Sequence, residues 1–349
     1  MKSHLESIQH LRGIAALLVV FVHFPTPLAH FCGSIGVDIF FFISGFIIFI
    51  SIDKSAYYDQ PFTFLKKRLL RIIPLYCVVT TLFLLMNITL NSFHAKREAK
   101  IPVDMNPITI IKSFLFTPIT SDGYYRDPLV FVGWSLNFEM LFYIFTFLIL
   151  LIFRRKFFIP LVSLLILLGS TSFVIGDFKN VLLDFFTSPL RLYFAIGLLL
   201  GKYHQIIKER ISPFVEPLLF IVLYIFFIVM IAKDRGYTYD GMPREMVVYN
   251  GKVIPRILIW GIPSFILLIS YFTLASKYKI SNIYLSKLGD RSYSIYLLQI
   301  FFIYFLYEFS SKFDRSDSIW LSMGMIATLV WISGFSINIL KRDFIDNIN

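Results

Sequence analysis

Runs of about twenty apolar residues recur from one end of this chain to the other, and they leave it few ways to fold. "IQHLRGIAALLVVFVHF" (8–24) is followed closely by "GVDIFFFISGFIIFIS" (36–51), and later by "WSLNFEMLFYIFTFLILLIF" (134–153). A helix of roughly twenty residues crosses the hydrocarbon core of a bilayer. Inside that core each backbone N–H must find its partner within the protein, so repeated runs of this length fold as spanning helices. A soluble domain of 349 residues would also need more surface charge than the 16% supplied by Asp, Glu, Lys and Arg. About ten spans are legible, near 8–27, 33–52, 71–92, 129–153, 157–175, 184–203, 213–232, 254–276, 290–309 and 317–340. The expected fold is an all-α, polytopic integral membrane protein whose single transmembrane domain covers 1–349, with no soluble domain attached.

The first run does not read as a cleaved leader. "PTPLAHFC" after it lacks a small-x-small site, and a second span begins at once. Short connections rich in Lys and Arg, such as "DKSAYYDQPFTFLKKRLLR", "RRK", "KYHQIIKER" and "SKYKISNIYLSKLGDR", belong in the cytoplasm by the positive-inside rule. An even number of spans then places both termini there, with longer outer segments at 93–128 and 233–253. The net charge of +11 suits loops facing anionic headgroups, whereas its dispersal among loops excludes a nucleic-acid surface. Cys32 and Cys77 have no metal-ligand spacing and read as packing residues, so no metal is expected.

Polar residues set within apolar runs carry the functional reading. Arg12 and His23 are eleven residues apart, which returns them to nearly one helix face with a rise of about 16 Å. They fit a snorkelling Arg with an interfacial His, or a basic site at one end of the helix and an acid/base group at the other. Asp38, in the first turn of span two, is favoured by the helix dipole or serves a site at the depth of His23. Ser44 and Gly45 read as close helix packing. Glu139 lies deep among Phe, Met and Leu, where a carboxylate needs a cavity or a partner such as Arg191. Trp134 fits an aromatic belt. "LKKRLLRIIP" (65–74) reads as a basic interfacial helix leading into span three, with Pro74 in that span's first turn. Its Arg68 and Arg71 share a face and suit either headgroups or a phosphate clamp. "LGDRSYSIYLLQI" (288–300) opens span nine with Asp290 and Arg291 and then brings polar groups suited to interhelical hydrogen bonds.

Five of these stretches resemble the acyltransferase-3 family of integral-membrane acyltransferases in order and spacing. They are Arg12 with ten residues before His23, "GVDIFFFISGF", "FLKKRLLRIIPLY", "WSLNFEMLFY" and "LGDRSYSIYL". "IQHLRGIAALL" and "LNFEM" are most similar to the branch that acetylates exopolysaccharide and O-antigen sugars. The resemblance implies acyl transfer from cytoplasmic acyl-CoA, usually acetyl-CoA, to a sugar hydroxyl of a polysaccharide or lipid-linked precursor, in a bacterial inner membrane. It assigns Arg12, Arg68 and Arg71 to the CoA phosphates and His23 to catalysis, with Asp38 or Glu139 holding the imidazole tautomer. Many relatives carry a His near the position of Gln299, and some carry a fused hydrolase-like domain that is not expected here. His23 acts either as base for direct attack or as acyl carrier; Ser135 as carrier has no visible base. The alternative is a transporter or flippase of a lipid-linked sugar, which shares the spans and buried charges but turns over no acyl-CoA.

Overall fold

The computed structural model of the chain describes residues 2–23, 33–55, 57–93, 104–121, 124–175, 180–210, 237–240, 246–249, 252–309 and 315–340. The expected span at 213–232 and the basic segment after 340 lie outside them. Six helical segments among the described residues are long and apolar enough to cross a membrane: Ile35–Ser55, Pro61–Thr89, Phe131–Lys156, Phe158–Ile175, Val181–Ile207 and Ile257–Ala275. They coincide with six of the expected spans. Those at 290–309 and 317–340 contain shorter apolar helices, Ser292–Leu306 and Leu321–Gly334. The first expected span is the helix α1 (Lys2–His23), whose polar residues dilute its apolar character. In α6 (Phe158–Ile175), Ile159, Leu167, Val174 and Ile175 point outward, where lipid rather than water is a compatible solvent.

Around α3 (Pro61–Phe93), α5 (Trp134–Phe153) and the short α7 (Val181–Thr187), the helices α2 (Gly33–Ser55) and α8 (Arg191–Arg210) form the most extensive contact of the bundle among the described residues. A Cβ on Gly45 would stand 2.3 Å from the Phe194 carbonyl oxygen, and one on Gly197 2.2 Å from that of Phe42. Without a hydrophobic force between helices in lipid, such backbone approach brings the dispersion contacts that hold them together. The residues of α2 that face away from α8 then look toward α1, α3 and α5.

The helix α3 (Pro61–Phe93) corrects the reading of its basic stretch. "LKKRLLR" is not a separate interfacial helix but part of one 33-residue helix, and Pro74 lies in its interior. The helix starts at Pro61, whose missing N–H costs nothing there. Near the turn that Pro74 loosens, the Tyr293 hydroxyl donates to the Ile72 carbonyl at 2.7 Å.

Segments expected as outer loops are partly ordered. The short helix α4 (Pro107–Phe114) is capped by the Asn106 side chain, and a β-hairpin follows, β1 (Ile119–Ser121) with β2 (Tyr124–Arg126). Asp104 accepts from Thr109 and from the Asn106 N–H, and these bonds hold its carboxyl below the ordinary carboxylate range. A second antiparallel sheet joins β3 (Tyr237–Asp240), β4 (Met246–Tyr249) and β5 (Lys252–Pro255) in order, with Val247 opposite Ile254. These two small sheets qualify an otherwise all-α architecture. A π-turn at Ile257–Gly261 leads from β5 into α9 (Ile262–Lys277).

The stretch "LGDRSYSIYL" is a corner rather than the start of a single span. The helix α10 (Ile283–Asp290) ends at Asp290, Arg291 turns the chain, and α11 (Ser292–Phe309) begins at Ser292. Gly289 is required there, since a Cβ would stand 1.9 Å from the Gln9 carbonyl oxygen of α1. Arg291 lies across Gly334 of the last helix, α12 (Arg315–Leu340).

The α2–α8 contact is testable. Gly45→Ala should lower the thermal midpoint of the detergent-solubilised protein, with overpacking on the order of 1–3 kcal/mol or more. Gly324→Ala, in α12 with nothing within 4 Å of the added Cβ, should hold or raise it. Equal midpoints for the two variants would mean that α2 and α8 do not meet at these glycines.

Candidate active site

A cavity of about 720 Å³, counted to its open mouth, lies between α1, α2, α3, α5 (Trp134–Phe153) and α11. Arg12, Arg68 and Arg71 line it together, although they come from two helices far apart in sequence. Arg71 is exposed and marks the mouth; Arg12 and Arg68 are half-buried. Arg68 donates from Nη2 to Ser51 Oγ at 2.5 Å and lies over the Phe64 ring. Arg12 donates from Nη1 to Gln9 Oε1 at 3.1 Å, and Gln9 is itself fixed by Asp290 at 2.8 Å. Among the described residues none of the three arginines forms a salt bridge. Three guanidiniums in one cavity lining, two of them oriented by neutral acceptors, make a site for a polyanion.

Glu139 occupies the middle of the cavity. Its Oε1 accepts from Ser44 Oγ at 3.0 Å and from the Tyr143 hydroxyl. Ser44 is therefore more than a packing residue. No described group donates to Oε2, which remains as an acceptor toward the space Glu139 lines. Arg191 does not bridge to Glu139. It donates to the Phe185 carbonyl at 2.5 Å and lies between the rings of Phe138 and Phe185.

The far end of the cavity is apolar and aromatic, with Val37, Phe40, Phe41 and Leu136 around Ser135 and Tyr296. The Tyr296 hydroxyl donates to the Val132 carbonyl, so the 2.7 Å bond to Ser135 Oγ must use the serine proton. A serine whose proton is given to a phenol has no base to activate it. This argues against Ser135 as an acyl carrier.

His23 is not among the residues that line the cavity. Its ring packs edge-on against Phe131, the residue before Val132, at 5.3 Å. Its Nδ1 lies 2.8 Å from the Val19 carbonyl, an acceptor only, so Nδ1 carries a proton. The backbone of α1 thus fixes the tautomer, a task the sequence reading gave to Asp38 or Glu139. Arg12, in the cavity lining, and His23, outside it, are carried by the one continuous helix α1.

Asp38 is engaged elsewhere. Its Oδ1 accepts from Arg256 Nε at 2.9 Å, and both side chains are buried. Arg256, at the junction of β5 and the π-turn, also lies over Trp134 with 5.8 Å between Cζ and ring centre. Trp134 is only 4% exposed, so it belongs to this cluster and not to an aromatic belt. Arg256 was invisible to sequence reasoning because it follows a polar loop where a basic residue needs no explanation. His10 was also passed over. It is fully buried, with Nδ1 2.8 Å from the Tyr271 hydroxyl and Nε2 3.0 Å from both the Asn282 carbonyl and Ser286 Oγ. It pins α1 to α9 and α10. Gln299 is buried, donates to the Tyr296 carbonyl at 2.9 Å, and lies outside the cavity lining.

The family model described as an acyltransferase domain, acyltransferase-3, matches residues 5–337. The chain belongs to the acyltransferase-3 family. It is also 30% identical over 189 residues to the exopolysaccharide production protein ExoZ of Rhizobium meliloti (strain 1021), a match covering 52% of this chain and 53% of that protein. The alignment thus spans about half the length of the curated relative. No solved structure matches. With its apolar helices, membership makes this acyltransferase-3 protein an integral membrane protein.

The Asp38–Arg256 pair yields a sign prediction. Asp38→Asn strands a buried guanidinium and should destabilise the acyltransferase-3 fold by about 3–5 kcal/mol. The double variant Asp38→Leu/Arg256→Met removes both charges and should recover much of that loss in thermal unfolding. A double variant no more stable than Asp38→Asn would show that the pair is not what joins α2 to the outer segment.

Proposed function

We propose that this protein transfers an acyl group, acetyl by preference, from cytoplasmic acyl-CoA to a hydroxyl of a cell-envelope or extracellular polysaccharide or its lipid-linked precursor. One observation carries the reading. A single cavity is lined by three arginines that form no salt bridge among the described residues and by Tyr296, which bonds the Val132 carbonyl next to the Phe131 ring on which His23 packs. Family membership and the likeness to a protein of exopolysaccharide production support it. In this reading the chain has about ten spans with both termini cytoplasmic and sits in a bacterial inner membrane. The arginine mouth then opens to the cytoplasm, where CoA is found.

The CoA phosphates bind at Arg12, Arg68 and Arg71, whose charge the single Glu139 carboxylate in the cavity only partly offsets, and the pantetheine arm runs along α2 past Glu139. Glu139 offers Oε2 to the amide N–H groups of that arm. At the far end His23 Nε2 takes the proton of the acceptor hydroxyl as its oxygen attacks the thioester carbonyl. The C–S bond breaks, and the thiolate leaves with the proton returned from the imidazolium. Transfer through an acyl-imidazole uses the same nitrogen and the same proton count.

Purified protein given radiolabelled acetyl-CoA and cell-envelope glycolipid should move label to the glycolipid. His23→Gln keeps size and hydrogen bonding but cannot take the proton, so turnover should fall roughly 10²–10⁴-fold. Near-normal turnover in that variant would make His23 a structural residue, and no labelling by the wild type would favour the transporter alternative. Arg68→Gln/Arg71→Gln should weaken CoA binding at least tenfold, about 1.4 kcal/mol, by calorimetry. Unchanged affinity would leave those arginines to lipid headgroups.

A further inference from the structure

The corner between α9 and α11 has an outward face that the arginine cavity does not use. The apolar segment Ile257–Ala275 ends just before it and the apolar helix Ser292–Leu306 starts just after it. Residues 276–291 therefore turn the chain at one surface of the membrane. Four large side chains stand outward within seven residues: Tyr278 is 63% exposed, Ile280 39%, Ile283 62% and Tyr284 79%. Lys277, Lys279 and Lys287 are exposed among them.

The packing of α10 holds this face outward. On one side of the helix the buried His10 bonds the Asn282 carbonyl and Ser286 Oγ, each at 3.0 Å, and Gly289 lies against the Gln9 backbone. At about 100° per residue, Ile283, Tyr284 and Lys287 fall on the other side. Turning them inward would break the His10 bonds and lift Gly289 off α1. The composition of the face names its partner. A tyrosine suits the boundary where its ring meets acyl chains and its hydroxyl meets headgroups, and a lysine reaches phosphate from an apolar stem. From Lys277 to Lys287 there are three lysines and no acidic residue. The nearest carboxylates are engaged, Asp290 with Gln9 at 2.8 Å and Glu6 with Ser281 at 2.5 Å. A bilayer surface containing anionic phospholipid complements both halves of the face at once, the lysines by charge and the apolar side chains by its acyl boundary.

We propose that the corner Lys277–Lys287 is a docking surface for an anionic phospholipid bilayer. Tyr278, Ile280, Ile283 and Tyr284 enter the boundary between headgroups and acyl chains, and the three lysines bind headgroup phosphates. The surface stands apart from the arginine cavity and does not depend on what the donor is.

The test attaches a fluorescent probe to the full-length protein through Tyr284→Cys, in a background with Cys32→Ser and Cys77→Ser. Ile283→Cys carries the probe if Tyr284→Cys does not fold. The labelled protein is reconstituted in nanodiscs of phosphatidylcholine mixed with phosphatidylglycerol, with a nitroxide on one lipid or the other. Acrylamide in the water should quench the probe at least about threefold less than it quenches the unattached dye. Nitroxide on phosphatidylglycerol should quench at least about twofold more than nitroxide on phosphatidylcholine at equal content. Lys277→Gln/Lys279→Gln/Lys287→Gln, all at exposed positions, should bring the two lipids to parity. A probe quenched by acrylamide as strongly as the unattached dye, and by neither lipid, overturns the inference and leaves the face to a soluble partner. A shielded probe that both lipids quench equally before the lysines are changed also overturns it, since the lysines then select no headgroup.

Discussion

The contact between α2 and α8 is the constraint from which the rest of the molecule follows. Two glycines let the backbones meet with no side chain between them. That contact fixes the rotation of α2 about its own axis. With Gly45 against α8, the neighbouring Ser44, and Phe40 and Phe41 one turn away, are turned into the space shared with α5 and α11. A bulkier residue at either glycine would move the helix and turn the cavity wall with it. In lipid no hydrophobic force would restore the arrangement, so small residues and hydrogen bonds have to specify it.

Around that wall the polar side chains divide into two kinds. Those with strong partners build the frame: Asp38 with Arg256, His10 with Tyr271 and Ser286, and Arg191 with the Phe185 carbonyl and two rings. Those held only by neutral partners face the cavity, namely Arg12 through Gln9 and Arg68 through Ser51. A guanidinium kept in orientation with no carboxylate in direct salt bridge, only Glu139 elsewhere in the cavity, retains much of its attraction for a ligand's charge. The second layer, Asp290 acting on Gln9, keeps one such group aimed although it lies ten residues into α1.

The helical architecture was legible because span length and apolar content are local properties of the chain. The shared face of Arg12 and His23 was legible for the same reason, since helical periodicity alone relates them. Pairing between distant segments was not. Asp38 reads from sequence as a first-turn residue, where a dipole argument suffices, but α2 begins at Gly33 and puts it in the second turn, and nothing nearby announces Arg256. Ser44 looked like packing because its neighbour Gly45 is packing, and only the approach of α5 shows that it bonds Glu139. Trp134 was misread because its place near a span end fits an interfacial role equally well, and burial depends on what covers that end. Pro74 was misplaced because a helix of 33 residues outlasts the membrane, so its start cannot be read from where hydropathy rises.

The Asp38–Arg256 pair also bears on how the protein is made. Its members are 218 residues apart in the chain. At about 5–20 residues per second of synthesis, the carboxylate leaves the ribosome roughly ten to forty seconds before its partner. Through that interval α2 must lodge in the bilayer with an ionisable group near its N-terminal end, where headgroups and water can still reach it. A position one or two turns deeper would leave the acid in hydrocarbon for the whole wait. The place of Asp38 near the start of α2 thus eases early insertion, and the ion pair that ties the end of β5 to α2 can form only after 218 further residues have been made.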